Sequence, residues 1–293
     1  MNELKLLTHF EAVYRLRSFS SAAQELRLTH STLTKSIKAL EESWNVKLLH
    51  RTTRTMAPTE AGKKLYPMAL DLLSFALTVK AETQGGEHTL RIVSGPAILD
   101  FMVHPAILEF AKLYPKTKIS AEPMPPSQAV EELLQRRIHL LLYHHDTLSN
   151  LPHSERLRIR KVVEEPYYLI SRTNHPVLRG KQSLDEVLKY DWVIAGFDSL
   201  FEASLPSTVR QLLTQYEFPK YRLLNQAACI DLVTQSDILT TVPRTIAQKL
   251  IDSGHASGFQ LPEVLTFSVS AAVLIDAGTE PTVNHFIDCL SLG

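Results

Sequence analysis

Residues 18–44 read SFSSAAQELRLTHSTLTKSIKALEESW, and this stretch decides the fold of the first part of the chain. Ser18 or Ser20 is suited to cap a short helix that contains two small alanines, because a serine side chain accepts N–H groups at a helix start. A polar break follows, and a further helix is predicted over 31–44. One side of that helix is apolar and carries Leu33, Ile37 and Leu40. The opposite side is polar and basic and carries Ser31, Lys35 and Lys38. This pattern is typical of a helix-turn-helix.

The segments on either side complete a small basic head. A first amphipathic helix is predicted over about 3–16, where apolar residues recur at helical spacing. After the third helix, residues 46–55 read VKLLHRTTRT, a short, β-branched and basic run that predicts a hairpin or wing. In this wing, Arg51 and Arg54 are placed to meet phosphates or a minor groove. The sequence therefore predicts an all-α winged helix-turn-helix domain over 1–58.

The charge balance of the chain is uneven along its length. The 293 residues contain 31 Lys and Arg against 31 Asp and Glu, so the formal net charge is zero. Residues 1–64 nevertheless hold 11 basic against 6 acidic residues, whereas residues 65–293 hold 20 against 25. A basic module on a neutral-to-acidic body indicates a nucleic-acid partner for the head. The alternative is three packed helices and a solvated loop, with lysines exposed for solubility.

DNA binding is the interpretation that the combined pattern favours. Ser31, Thr32 and Lys35 are candidates for contacts to base edges in the major groove. Lys38, Arg51 and Arg54 are better suited to phosphates, which position a protein on the duplex. Thr29 or His30 is expected to cap the third helix, whose free N–H groups could meet a phosphate. The candidate DNA-binding residues are Thr29, His30, Ser31, Thr32, Thr34, Lys35, Lys38, Arg51 and Arg54.

The head resembles the LysR-type transcriptional regulators. The resemblance runs without a gap over 1–62 and is carried by SFSSAAQEL at 18–26, LTKSIKALE at 33–41, VKLL at 46–49, RTTR at 51–54 and TEAG at 59–62. The chain departs from the family at His30-Ser31, where Gln-Pro is frequent, and at Asn45, where glycine is usual. The resemblance implies a regulator that binds an operator as a dimer, usually within a tetramer, and that responds to a small-molecule co-inducer.

A helix of about twenty-five residues is predicted to connect the head to the body over 59–84. Thr59 is its expected N-cap, Pro67 should bend or weaken its first turns, and Gly85-Gly86 forms a hinge after it. Its apolar stripe consists of Leu65, Ala69, Leu72, Ala76 and Val79. The stripe favours pairing with a second copy, with packing on the body of the same chain as the alternative. The resemblance implies that these linker helices pair in a homodimer.

Residues 87–293 alternate strand-like runs with helical segments, which predicts an α/β body with mainly parallel sheets. We expect two lobes, one formed by 87–163 and 267–293 and the other by 164–266, with two crossings between them. Residues 59–86 then serve as linker helix and hinge. The resemblance implies the same architecture, an effector-binding body like that of periplasmic binding proteins. A cleft between such lobes can close like a hinge.

Ligands of open α/β lobes sit beyond the C-terminal ends of the strands, near helix N-termini. This rule selects as effector-binding candidates Ser94, Gly95, Pro96, Ser127, Tyr143, Gly196, Phe197, Asn225 and Gln226. Small polar side chains there favour an anionic group, so a carboxylate effector is one expectation. Asp198 would repel such a ligand if it pointed inward. Each of these residues also has the alternative role of a turn or helix-cap residue.

Other classes of function find less support in the sequence. His144-His145-Asp146 invites a metal site, but adjacent strand residues point to opposite faces, so we expect neither metal nor cofactor. One alternative is an enzyme that a DNA-binding head merely localises, but no nucleophile motif or phosphate-cradling loop is present to support it. An architectural DNA binder with an unresponsive body is the other alternative. Cys229 and Cys289 have no redox spacing and no apolar run reaches the length of a membrane span, which predicts a cytoplasmic protein.

Overall fold

A computed structural model describes residues 3–51, 56–83, 89–196, 198–261, 265–275 and 281–290. The chain forms two compact units, Met1–His88 and Thr89–Gly293. None of the helices in the described part of the chain is both long and apolar enough to cross a membrane.

The first unit contains the predicted winged helix-turn-helix. Its elements are α1 (Glu3–Leu16), α2 (Phe19–Glu25), α3 (His30–Ser43), β1 (Leu49–Arg51), β2 (Met56–Pro58) and α4 (Glu60–Thr83). Strands β1 and β2 pair antiparallel from Leu49↔Pro58 to Arg51↔Met56, so the predicted hairpin is present. Ser18 rather than Ser20 caps α2, because its side chain accepts the N–H of Ser21 at 3.2 Å.

The core of this unit is built from the apolar faces of the helices. Leu33, Ile37 and Leu40 of α3 are at most 1% exposed and share one cluster with Phe10 of α1. Ala22 and Ala23 of α2 are buried in the same cluster, and their small side chains allow the helices to approach closely. The periodicity of the sequence thus identifies the inward face of α3 correctly.

Helix α4 is joined closely to the wing. Thr59 caps it as predicted, with the N–H of Gly62 donating to the Thr59 hydroxyl at 3.0 Å. A Cβ at Gly62 would lie 2.2 Å from the carbonyl oxygen of Leu48, so only glycine permits this approach. The helix continues through Pro67 to Thr83. The predicted hinge at Gly85-Gly86 lies outside the described residues.

The prediction for the apolar stripe of α4 needs a correction. Ala69 is buried in the core of the first unit and Leu65 packs against the same core, so these two do not face outward. Tyr66 stacks on Tyr14 of α1 with ring centroids 4.0 Å apart. The exposed apolar residues of α4 lie on a neighbouring face and are Met68, Leu72, Phe75 and Val79. The helix therefore has two apolar faces, and the stripe predicted from the sequence mixes residues of both.

The second unit is an α/β body. Its strands are β3 (Thr89–Ser94), β4 (Lys118–Pro123), β5 (Leu140–His144), β6 (Leu157–Ser171), β7 (Val193–Ala195), β8 (Tyr221–Leu223), β9 (Thr240–Pro243), β10 (Ser257–Gln260) and β11 (Thr266–Leu274). Its helices are α5 (Pro96–Ile98), continued by a π-helical turn (Leu99–Val103) into α6 (His104–Leu113), α7 (Pro126–Leu134), α8 (His145–Ser149), α9 (Leu184–Val187), α10 (Ser199–Ser204), α11 (Ser207–Gln215), α12 (Gln226–Gln235), α13 (Arg244–Asp252) and α14 (Pro281–Leu290).

The sheet of this body is mixed, and the expectation of mainly parallel sheets is wrong. Strand order is β10-β6-β11-β5-β3-β4, with β9 also paired to β6. Strand β3 pairs parallel with β4 and β5, and β7 pairs parallel with β8. Strand β11 is antiparallel to both β5 and β6, and β9 and β10 are antiparallel to β6. The returning strand β11 enters between β5 and β6 against their direction.

The 15-residue strand β6 links the two halves of the body. Its first part, from Leu157 to Pro166, pairs with β11, and its last part, from Tyr167 to Ser171, pairs with β9 and β10. Separate apolar clusters lie around the two parts. One contains residues of β3, β5, β11, α6 and α14, and another contains residues of β6, α9 and α11.

Candidate nucleic-acid interface and ligand cavity

The start of α3 is organised by Thr29. Its hydroxyl accepts the N–H of Thr32 at 3.2 Å and lies 3.0 Å from the Ser31 hydroxyl and 2.8 Å from the Thr32 hydroxyl. Thr29 is therefore the N-cap, and His30 is the first helical residue, with its ring centroid 5.8 Å from that of Phe19. The cap fixes the direction in which the first turn of α3 presents its side chains.

The outer face of α3 is accessible. Of the nine candidate residues, those with exposed side chains are Thr29, His30, Ser31, Thr32, Lys35 and Lys38, and Thr34 is half-buried. Lys35 forms no ion pair with any of the described residues. The Lys38 ammonium lies 3.3 Å from the Glu42 carboxylate, and both side chains are more than 60% exposed, so this pair is weak and easily exchanged for a phosphate. An exposed polar and cationic ridge thus lies opposite the buried side of α3.

The two arginines predicted in the wing lie largely outside the described part of the structure. Arg51 ends β1, but its side chain is outside the described part of the structure, and Arg54 lies in the undescribed segment 52–55. Their predicted contacts with the DNA backbone therefore stay predictions.

A buried carboxylate joins α3 to the wing, and sequence reasoning missed it. Glu41, on the buried side of α3, is 6% exposed. Its Oε1 accepts the N–H groups of Leu48 at 2.9 Å and Leu49 at 3.2 Å, and its Oε2 accepts Lys47 Nζ at 3.0 Å. Burial alone would raise the pKa of this carboxyl, but these hydrogen bonds outweigh it and hold the pKa below its ordinary value. Glu41 therefore fixes the wing relative to α3.

The body contains a cavity of about 480 Å³ with a predominantly apolar lining. Of the nine effector-binding candidates, the residues that line it are Gly95, Pro96, Tyr143, Gly196 and Gln226. These five come from the ends of β3, β5 and β7 and from the start of α12, as the rule for strand ends predicts.

Three other candidates do not line the cavity. Ser94 is fully buried, and its hydroxyl donates to the Gly95 carbonyl at 3.1 Å. Ser127 is exposed on α7. The Asn225 side chain caps α12 by accepting the N–H of Ala228 at 2.9 Å, which is the alternative role that the sequence left open. Phe197 lies outside the described residues.

An aromatic wall, which we define as His144, Tyr167, Phe201 and Phe267, lines one part of the cavity. The His144 ring stacks on Phe201 with centroids 4.0 Å apart, and it meets Phe267 edge-on at 5.5 Å. Tyr167 meets Phe267 in the same edge-on manner at 5.5 Å. This arrangement suits a flat apolar ligand. No local pattern in the sequence indicates this wall, because the four rings come from β5, β6, α10 and β11.

The ionisable groups of the cavity are carboxylates and neutral rings. Asp198 Oδ1 accepts the N–H groups of Leu200 at 3.0 Å and Phe201 at 3.1 Å, and its Oδ2 accepts the Thr147 hydroxyl. Burial, reinforced by the Asp198 charge, raises the pKa of Tyr143 well above its ordinary value. Burial also lowers the pKa of His144 to about 4, against the opposing influence of Asp198. His144 is therefore a neutral imidazole at pH 7.

Two contacts beside the cavity join the two halves of the body. The N–H of Gln226 donates to Asp100 Oδ2 at 2.7 Å. Gly196 adopts φ +76°, and a Cβ there would lie 2.8 Å from Pro96 Cδ. Both contacts join the half around β3 to the half around β7 and α12. A glycine is required at 196 by its backbone conformation and by this approach.

Metal binding and thiol chemistry find no support in the described residues. No group of three or more potential ligands is present among them. His145 Nδ1 instead lies 2.9 Å from the Ser270 hydroxyl. Cys229 is buried, and burial raises its pKa to about 11, which disfavours the reactive thiolate.

Two family models match most of the chain. The model described as "LysR substrate binding domain" matches residues 83–292, and the model described as "Bacterial regulatory helix-turn-helix protein, lysR family" matches residues 4–63. These two matches correspond to the body and the head.

Named relatives agree with the family models. The HTH-type transcriptional regulator AlsR of Bacillus subtilis is 32% identical over 187 residues, which cover 62% of this chain and 60% of AlsR. The chain thus spans less than two thirds of that relative's length. The probable HTH-type transcriptional regulator LrrA of Synechococcus elongatus is 25% identical over 288 residues, which cover 95% of this chain and 93% of LrrA. These relatives are described as regulators and not as enzymes.

A solved structure shares the fold. A full-length variant of OxyR from Pseudomonas aeruginosa has a TM-score of 0.59 and 15% sequence identity, and the match covers 99% of this chain and 97% of that one. At this identity the likeness concerns the fold alone.

Proposed function

This chain belongs to the LysR family of bacterial regulatory helix-turn-helix proteins, and from that premise we propose that it is a DNA-binding transcriptional regulator that responds to a small-molecule co-inducer. The observation that carries the proposal is the outer face of α3, whose polar and cationic side chains are exposed while Leu33, Ile37 and Leu40 are buried. A helix with this division of faces can enter a major groove without disturbing the core behind it.

The residues of the head have different roles in this proposal. Ser31, Thr32 and Lys35 contact base edges and so determine sequence preference. Lys38, Arg51 and Arg54 contact phosphates and determine affinity and its dependence on salt. Glu41 acts indirectly, because its hydrogen bonds to Leu48 and Leu49 hold the wing that carries the arginines.

Self-association through α4 is part of the proposal. Met68 and Phe75 are each 66% exposed and Leu72 is 47% exposed, and the three lie three to four residues apart on one helix face. Such a contiguous apolar face is suited to a second copy of the same helix. We propose a homodimer through this face and a homotetramer formed from two dimers, which would place two heads on an interrupted palindrome.

The body is proposed to bind the co-inducer in the 480 Å³ cavity. We propose the division into two lobes, 87–163 with 267–293 and 164–266, because β6 runs from one set of apolar clusters to the other. A ligand can change DNA binding only if it binds the two arrangements of the lobes with different affinity. Since the protein acts on chromosomal DNA in this proposal, we place it in the cytoplasm.

Footprinting on the DNA that flanks its own coding region tests the proposal. The full chain should protect two half-sites separated by one or more helical turns, and candidate metabolites should alter the protected pattern. The matched variants are Lys35→Ala and Lys249→Ala, of which the second removes an exposed lysine from the body. Protection lost equally in both variants, or absent from all flanking DNA at low salt, would defeat the proposal.

A further inference from the structure

We propose that the cavity of the body takes an uncharged, largely apolar ligand and discriminates against an anion of the same shape. The inference rests on the proposed function in one respect, namely that the occupant of the cavity is the effector. It departs from the carboxylate that strand-end polarity alone suggested.

The charges of the lining are the first argument. Asp198 and Glu202 are the charged side chains that line the cavity, and no lysine or arginine of the described ranges joins them. His144 is neutral at pH 7, as its lowered pKa of about 4 shows. A carboxylate ligand would therefore lose its hydration without gaining a cationic partner, and it would lie near two negative charges.

The state of Asp198 is the second argument. Its carboxylate accepts two N–H groups at the start of α10 and the hydroxyl of Thr147, so these donors are already engaged and are not available to a ligand anion. The same three hydrogen bonds hold the Asp198 carboxylate in its position. The Asp198 carboxylate is thus a fixed part of the cavity lining.

The shape and surface of the cavity are the third argument. A volume of about 480 Å³ is within the range of about 300–1,000 Å³ that is common for small-molecule sites. The aromatic wall offers ring faces and edges, and Trp192 and Ile194 add apolar surface. A ligand with one or two rings would bury most of its apolar surface against the carbon atoms of the lining, away from water.

One polar anchor is available to an uncharged ligand. Gln226 lines the cavity, is 2% exposed, and its Nε2 has no hydrogen-bond partner among the described residues. A buried amide without a partner is unfavourable, and a hydroxyl or carbonyl oxygen on the ligand would satisfy it. The site therefore suits a molecule that is mostly apolar and has a single neutral oxygen.

Calorimetric titration of the full chain with 2-naphthylmethanol and 2-naphthoate tests the inference, because the two probes share a ring system and differ in charge. We expect the alcohol to bind at least tenfold more tightly than the carboxylate. In Glu202→Lys, which adds a cation to the lining, that ratio should fall at least fivefold. Glu131→Lys makes the same charge change on the exposed surface of α7, outside the lining, and should leave the ratio unchanged.

Equal affinities, tighter binding of naphthoate or absence of alcohol binding would overturn the inference, as would equal effects of the two lysine variants. The footprint on flanking DNA separates this failure from failure of the proposed function. A protein that binds its operator but prefers naphthoate retains the proposed function and loses the selectivity. A protein that binds no DNA but prefers the alcohol loses the regulatory function and keeps the selectivity.

Discussion

Replacement of Glu41 tests how the head is held together, because this one carboxylate joins α3 to the start of the wing. Three variants each remove a different part of the interactions that Glu41 makes. Glu41→Ala removes the acceptor of two N–H groups and of the Lys47 ammonium, Glu41→Gln keeps an acceptor oxygen but no charge, and Lys47→Ala removes only the ammonium.

The expected magnitudes follow from burial. Leu48 and Leu49 are buried, so each N–H that loses its acceptor costs about 1–3 kcal/mol, and Glu41→Ala should lower the free energy of unfolding by about 2–6 kcal/mol. Glu41→Gln replaces charge-assisted hydrogen bonds by neutral ones and should cost about 1–2 kcal/mol. The Lys47 side chain is 75% exposed, so its removal should cost less than about 1 kcal/mol.

Urea unfolding of the full chain measures this order of effects. Trp44 lies at the end of α3, and in a Trp192→Phe background it is the sole tryptophan, so its fluorescence reports the first unit. The midpoint should fall most for Glu41→Ala, less for Glu41→Gln and least for Lys47→Ala. Equal shifts for Glu41→Ala and Lys47→Ala would refute the role of the two backbone N–H groups.

The urea midpoint should also depend on pH, and the direction of this dependence follows from the lowered pKa of Glu41. Because folding lowers the pKa of Glu41, its contribution is fully present above the pKa of the unfolded state, about 4.3. The contribution is lost as the pH falls below that value through the folded pKa. The difference between the wild-type chain and Glu41→Gln should therefore shrink between about pH 5 and more acidic pH, and a constant difference would contradict the assignment.

Three further perturbations address packing, association and thiol chemistry. Gly62→Ala places a Cβ 2.2 Å from the Leu48 carbonyl oxygen, so we expect the first unit to lose about 1–3 kcal/mol in the same Trp44 measurement; an unchanged midpoint would argue against this close approach. Phe75→Asp charges the exposed face of α4 and should raise the dissociation constant for self-association at least tenfold in analytical ultracentrifugation, whereas an unchanged constant would place the interface elsewhere. Since burial raises the pKa of Cys229 to about 11, iodoacetamide should modify it far more slowly in the native protein than in urea, and similar rates would contradict its burial.

The head is predictable because its signals are local. The spacing of Leu33, Ile37 and Leu40 identifies the buried side of α3, and the caps at Thr29 and Thr59 follow from residue type and position. Glu41 is not predictable in the same way. In the sequence it is one of two adjacent glutamates at a helix end, and its partners Leu48 and Leu49 are brought to it only by the turn that follows α3.

The body shows where local reasoning fails. The first part of strand β6 has no clear strand pattern in the sequence, because it contains many charged residues and Pro166. Its pairing with β11 joins residues about a hundred positions apart, and nothing in either segment specifies the antiparallel direction. The strand-end rule locates part of the cavity lining, but the aromatic wall depends on these distant pairings and on α10.

The central claim is that the outer face of α3 enters the major groove, and titration of operator duplexes with Lys35→Ala tests it most directly. Each base pair of the protected half-site is varied in turn, with Lys249→Ala as the control. We expect Lys35→Ala to lose at least tenfold in affinity for the native operator and to stop discriminating at one base position, while Lys249→Ala behaves as the wild-type chain does. Full retention of discrimination at every position by Lys35→Ala would contradict the claim.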